Sequence, residues 1–278
     1  MLTRRIAADS VQLSPLPTNI RKCLAILRNA DFDQRELCAA AEADVVIAAR
    51  VVRLATSAAY GAPGQAGVSL SAALARLGAK AVRALLLEMG AAKLFVSKDQ
   101  GIDQATQRMW KHSRVVAMMA RDIRALSGGA GSEDAYLVGL LHDIGKPVLA
   151  CILLAAEHEV VEVRGRGWVE SARWNRIIRD AHRSIGCQVA ERWQLPSEIS
   201  KAIAGCADYD LSDRGSIGNL VCYANALSKT IGLGSDVSQA SDEEEANTLV
   251  MIGNSLLGLD EALVKGVVAN VRTRVDEP

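Results

Sequence analysis

Apolar residues recur along this chain at intervals of three and four, and strict alternation of apolar with polar residues is nearly absent, so the pattern predicts helices almost throughout. Residues 1–14 lack this rhythm and read as an arm. Leu16-Pro17-Thr18 opens the first periodic segment, with Thr18 as cap and Ile20, Cys23, Leu24 and Leu27 on one face. Asp31 or Asp33 caps the next, and VVIAARVVRLATSAAY at 45–60 reads as a strongly apolar helix ending near Gly61. GAPGQAG at 61–67 is a loop by its glycine and proline content. Ser69 or Ser71 opens LSAALARLG, Gly78 interrupts it, and a second helix runs on to Phe95.

The polar stretch SKDQGIDQATQ at 97–107 reads as a linker between an N-terminal helical lobe at 15–96 and a second lobe at 108–230, with C-terminal helices at 231–278 packing on the core. The fold class expected is therefore all-α, one helical lobe packed on another. In the last helix Leu263, Val264, Val267, Val268, Val271 and Val275 form an apolar stripe, which must cover the core or, as the sharper alternative, a second copy in a homodimer.

The second lobe carries inward-facing histidines. His112 shares a stripe with Val115, Val116, Met119 and Ile123. In LVGLLHDIGKPVL at 137–149, the His142-Asp143 pair ends an apolar helix, Gly145 lets the backbone leave it, and Pro147 suits the first turn of the next. In DAHRSIGCQVAERWQLP, Asp180 reads as the cap of a helix on which His182 lies in line with Ile185, Val189 and Trp193, and Pro196 ends it. His158, among the acidic neighbours of AAEHEVVEV, reads as a surface residue. A single inward histidine is usually a hydrogen-bonded core residue. Three beside an aspartate share one cause, and a metal or a polar cleft supplies it. Imidazole and carboxylate together suit Mn, Fe, Zn or Mg.

Charge and cysteines narrow the function classes. The 278 residues carry 32 basic and 32 acidic side chains, so no global field draws in a phosphate backbone, and nucleic acid is not an expected partner. The pair around Gly78 has the outline of a helix-turn-helix, with Lys80 and Arg83 near the start of its second helix. That helix is too apolar to lie in a groove, so the pair reads as a packing corner. The cysteines (Cys23, Cys38, Cys151, Cys187, Cys206 and Cys222) show no CxxC spacing and read as reduced thiols in a cytoplasm. MLTRRIAADS lacks the apolar run of a signal peptide, and no charge-free apolar span of membrane length follows, so neither export nor anchoring is expected.

In this order the motifs resemble the HDOD domain, a relative of the HD metal-dependent phosphohydrolases. The resemblance rests on LSPLPTNIRKCLAIL, AARVVRLATSAAYG, SAALARLGAKAVRALLL, the helix bearing His112, LLHDIGK, and the His182 element through Trp193-Gln194-Leu195-Pro196; it covers about residues 13–230. It implies an HD-like second lobe and a bacterial signalling role. The enzymes similar to this lobe hold a metal with a first histidine, the HD pair and a later aspartate, which map to His112, His142, Asp143 and, within VCYANALSK, Asn225. An amide stands where they have a carboxylate, and an amide is a neutral, weak ligand. Relatives with two metals carry a further histidine pair, where AIAGCADYD here has Gly205 and Cys206. In the GYP-type cyclic-di-nucleotide hydrolases Lys146 would help hold phosphate, but residues 195–215 lack the GYP signature, so cyclic-di-GMP hydrolysis is not expected.

The expectation is a regulatory module that binds a signalling partner protein or a small ligand without catalysis. His112, His142, Asp143 and His182 form either an incomplete site for a divalent metal or a hydrogen-bonded polar core. The alternative is a metal-dependent phosphohydrolase acting on a nucleotide or another phosphate ester.

Overall fold

Short polar side chains start six of the helices among the described residues. Asp33, Asp44, Ser69, Asp99, Ser216 and Asp260 each accept a backbone N–H from the first turn that follows, satisfying a donor the helix itself leaves unpaired. The computed structural model describes residues 15–57, 59–60, 68–164, 171–233 and 240–275, and among these there are helices and turns but no strand. The expected arm at 1–14 and loop at 61–67 lie outside the described residues. The chain divides into two units, Leu16–Lys93 and the part from Leu94 onward.

The first unit holds α1 (Thr18–Ile26), α2 (Gln34–Glu42), α3 (Val45–Ala55) and α4 (Leu70–Ala92). Thr18 is not the cap of α1: Pro17 occupies that position with no side-chain bond, its ring fixing φ at −51° for entry into the helix. Of the two candidates for α2, Asp33 is the cap. α3 stops five residues short of the expected end, because Thr56 and Ser57 turn their hydroxyls back to the carbonyls of Val52 and Leu54. Gly78 divides α4 with φ +71°, a left-handed conformation that costs glycine nothing. Leu37, Ile47, Val51, Leu86 and Leu87 are fully buried between these helices. Arg83 is engaged internally: its Nη2 donates to the Leu27 carbonyl past the end of α1 at 2.7 Å, and Arg76 does the same for Ala55 of α3 at 3.0 Å.

The second unit follows a 3-10 turn at Lys93–Phe95. It comprises α5 (Gln100–Leu126), α6 (Ser132–Leu141), α7 (Gly145–Arg164), α8 (Ser171–Arg192), α9 (Ser197–Gly205), α10 (Ile217–Thr230), α11 (Ala240–Leu257) and α12 (Glu261–Arg274). α5 is its central helix, packed by α6, α10 and α12; α7 packs on α8, α8 on α9 and α10 on α11. The stretch expected as a linker is helical from Gln100. Asp99 caps it, and Thr106, 1% exposed, donates to the Phe95 carbonyl and ties the first turns to the core.

Asp180 is not a cap either. α8 begins at Ser171, so Asp180 is an exposed mid-helix residue 3.9 Å from Arg176 one turn earlier. The stretch Ser132–Glu157 is apolar and long enough to cross a membrane, yet it is broken between α6 and α7, and 72% of its most apolar window is buried inside the protein. On α12, Val267, Val271 and Val275 are buried, and the helix packs on α5. It is fastened there by Asn270 and Arg274, which donate to Asp122 at 2.8 and 2.7 Å.

A candidate metal centre of histidine and aspartate

Two helices and one interhelical turn bring the predicted residues together. His112 projects from the middle of α5, His142 and Asp143 occupy the turn that ends α6, and His182 comes from α8. Their exposures are 2, 2, 4 and 4%, so the cluster is closed off from solvent. Gly145 explains how α7 and α8 come so near. It is the first residue of α7 and has no left-handed φ, so its role is not to let the chain leave the helix. Its missing side chain instead admits the His182 carbonyl and the Gly186 backbone, which a Cβ would strike.

Each histidine is oriented through Nδ1. His142 Nδ1 lies 2.7 Å from the Gly139 carbonyl, and His182 Nδ1 lies 3.0 and 2.8 Å from those of Ile178 and Arg179. A carbonyl only accepts, so both rings carry a proton on Nδ1. His112 Nδ1 faces Ser228 Oγ on α10 at 3.4 Å, and that hydroxyl gives its own proton to the Asn225 carbonyl, leaving lone pairs for His112. The three Nε2 atoms then converge on one carboxylate. His142 and His112 stand 3.3 and 3.8 Å from Asp143 Oδ2, and His182 stands 3.3 Å from Oδ1.

A ring with its only proton on Nδ1 points an Nε2 lone pair at the carboxylate, and such a contact is favourable only if a proton or a cation lies between. Burial, followed by the charge of His142, pushes the His112 imidazole down to about 3, so this ring is neutral at ordinary pH. Burial also acts to raise the Asp143 carboxyl, but His142 and Lys146 outweigh it and hold the group well below the usual carboxylate range. The Nε2 atoms of His112 and His142 are buried with no hydrogen-bond partner. Together with Asp143 they offer three ligand atoms within 4.8 Å of one another, and this donor set fits a divalent first-row cation. The carbonyls behind His142 and His182 are the outer partners that set a ligating ring.

Lys146, expected near phosphate, bonds to Asp143 Oδ2 at 2.5 Å. Asn225 lies on α10 one turn before Ser228; its Oδ1 is buried and has no partner. Cys206 is 3% exposed, and burial pushes its thiol up to about 11, so it behaves as a packed hydrophobe. Sequence reasoning missed Ser228. Its only signal is the three-residue spacing from Asn225, while its partner His112 lies 116 residues away. The side chain of His158 lies outside the described residues.

The model of the HDOD domain matches residues 13–208 of this chain. The chain belongs to the HDOD family. An uncharacterized protein of Treponema pallidum is 24% identical to this HDOD chain over 70% of its length and 38% of the relative's. Ribonuclease Y of Acholeplasma laidlawii is 30% identical over 61% of the chain and 27% of the enzyme. The HDOD chain thus spans well under half of these curated relatives.

Solved structures share the fold. A Shewanella amazonensis protein provisionally named a metal-dependent phosphohydrolase superposes with a TM-score of 0.73 at 18% identity, covering 99% of this chain and 96% of that one. An HDOD protein of unknown function from Geobacter sulfurreducens gives 0.65 at 20%, covering 100% and 99%. A protein of Marinobacter aquaeolei, provisionally named for signal transduction, gives 0.61 at 22%, covering 99% and 62%. The architecture is accordingly the all-helical, HD-like one.

Proposed function

We propose that this HDOD chain is a bacterial signal-transduction module whose buried His–Asp cluster holds a divalent cation as a fixed element of the second unit. It would act by binding a protein partner or a small ligand rather than by turnover. The observation that carries this reading is closure: His112, His142, Asp143 and His182 are each at most 4% exposed, so the converging Nε2 atoms face the protein interior rather than an open cleft. Asn225 favours binding over hydrolysis, because an amide stands where the resemblance to the HD enzymes calls for a second carboxylate. The name of the Marinobacter protein agrees with a signalling role.

His112, His142 and Asp143 would hold the cation, with His182 Nε2 3.3 Å from the other carboxylate oxygen, Oδ1. Bound there, a divalent metal supplies Lewis acidity toward a phosphoryl oxygen and lowers the pKa of a bound water. The second reading, a metal-dependent phosphohydrolase, is favoured by Lys146, whose side chain is 24% exposed and so reaches from the cluster toward solvent.

Metal content by mass spectrometry, on protein purified without chelators or a metal-affinity tag, tests the centre. Near-stoichiometric Mn, Fe, Zn or Ni lost in both His142→Ala and Asp143→Ala supports it. Hydrolysis of a nucleotide or a generic phosphate ester by the loaded protein, absent from the same variants, would replace the binding reading with the hydrolytic one.

A further inference from the structure

Asp143 Oδ2 is the oxygen to which the His112 and His142 Nε2 atoms both point, and it is already taken. Lys146 Nζ donates to it at 2.5 Å, nearer than either ring nitrogen, at 3.3 and 3.8 Å. A carboxylate buried to 4% exposure needs a counter-ion, and the Lys146 ammonium is the nearest charged group to it. Lys146 fills that need at some cost, since it sits in the first turn of α7, where the helix dipole disfavours a positive charge. A divalent cation held by Nε2 of both rings and by Oδ2 would stand within a few ångströms of the ammonium and repel it.

The members of the cluster differ in what they can do about this. The rings are pinned by Gly139, Ile178, Arg179 and Ser228, and Asp143 lies enclosed among them, 3.3 Å from His182 Nε2. Lys146 alone among them has a partly exposed side chain on a long flexible stem and can swing outward.

We propose that Lys146 is a built-in competitor for the metal: its ammonium neutralises Asp143 in the metal-free protein, and a divalent cation captured by His112, His142 and Asp143 expels it to the surface. Metal occupancy is thereby converted into one added positive charge on the outside of the second unit, a change that an anionic ligand or an acidic partner surface can read. The inference rests on the metal-centre reading above and adds the device that makes the centre report its state.

The test compares Zn²⁺ and Mn²⁺ affinities of wild type, Lys146→Met and Lys146→Arg by competition with a chromophoric chelator. Removing the ammonium should tighten binding by about tenfold or more, and Lys146→Arg, which keeps the charge, should bind as wild type does. Acylation of Lys146 in the wild-type protein by an amine-reactive ester, followed by peptide mass spectrometry, is the second readout, and added metal should speed it several-fold. It carries the test alone if Lys146→Met does not fold. Binding by Lys146→Met but not by wild type supports the proposal in its strongest form. Equal affinities of wild type and Lys146→Met, or acylation indifferent to metal in a protein that binds it, overturn the proposal and leave the metal centre standing. Failure of all three proteins to bind either ion overturns both.

Discussion

Gly145 and His182 meet backbone to backbone, the carbonyl of one filling the space where a Cβ on the other would go. This contact sets the distance between α7 and α8, and with it the 3.3 Å between His182 Nε2 and Asp143 Oδ1. Gly145→Ala must push the helices apart, because the obstacle is backbone and cannot rotate away. The expected cost is about 3 kcal/mol, at the upper end for an added methyl in a packed core, together with loss of the His182–Asp143 contact. Urea denaturation of the variant checks it; a midpoint equal to that of wild type would show that the helices can separate without penalty.

Asp122 predicts a second effect, distant from the cluster. It is 9% exposed on α5 and accepts from both Asn270 and Arg274 of α12. Arg274→Ala leaves the carboxylate with fewer partners and should cost about 1–2 kcal/mol, while Asp122→Asn with Arg274→Ala together should cost less than the two singly. Thermal unfolding of the four proteins in the cycle measures the coupling. Strict additivity would mean that the Arg274–Asp122 bond contributes nothing to holding α12 on α5.

The parts of the molecule that were legible in the sequence are those a local pattern decides. The His112 and His182 stripes were readable because Val115, Met119 and Ile123, and likewise Ile185, Val189 and Trp193, follow at helical spacing and are buried. The start of α5 was not, because its first turns bury little beyond Thr106 and their polar surface has the composition of a linker. Asp180 misled for a related reason: an aspartate ahead of an apolar stripe resembles a cap, and the helix continuing upstream of it is visible only in the fold. Within the site, the sequence marks Lys146 only as a phosphate-holding residue, and its bond to Asp143 is visible only in the fold. Contacts such as Ser228 with His112 join residues 116 apart, and no local rule reaches them.

The burial of His112 implies a pH dependence of stability. In the unfolded chain the ring takes up a proton near pH 6.5, whereas in the folded protein it stays neutral down to about 3. The unfolded state therefore binds more protons between those values, and stability falls as the pH is lowered through the window, by roughly 1.4 kcal/mol per unit below 6.5. In the presence of a chelator, denaturation of His112→Gln between pH 7 and pH 5 should lack this part of the slope. Parallel slopes for variant and wild type would mean that the ring accepts its proton in the folded state.

Asn225 offers the most direct manipulation of the centre. Its Oδ1 is buried without a partner on α10, one turn before the serine that faces His112, and the family resemblance puts a ligating carboxylate at this position. Asn225→Asp restores the charge without changing the size of the side chain. In metal-free protein Lys146 is already bonded to Asp143 and the new carboxylate adds a second buried negative charge, so stability should fall by about 3 kcal/mol. With Zn²⁺ or Mn²⁺ the same charge becomes a ligand, and affinity should rise by roughly tenfold or more over wild type. Because a cation that binds only the folded state stabilises it in proportion to its affinity, the melting temperature of the variant should rise more steeply with metal concentration than that of wild type. A variant that melts like wild type with and without metal would place Asn225 outside the centre.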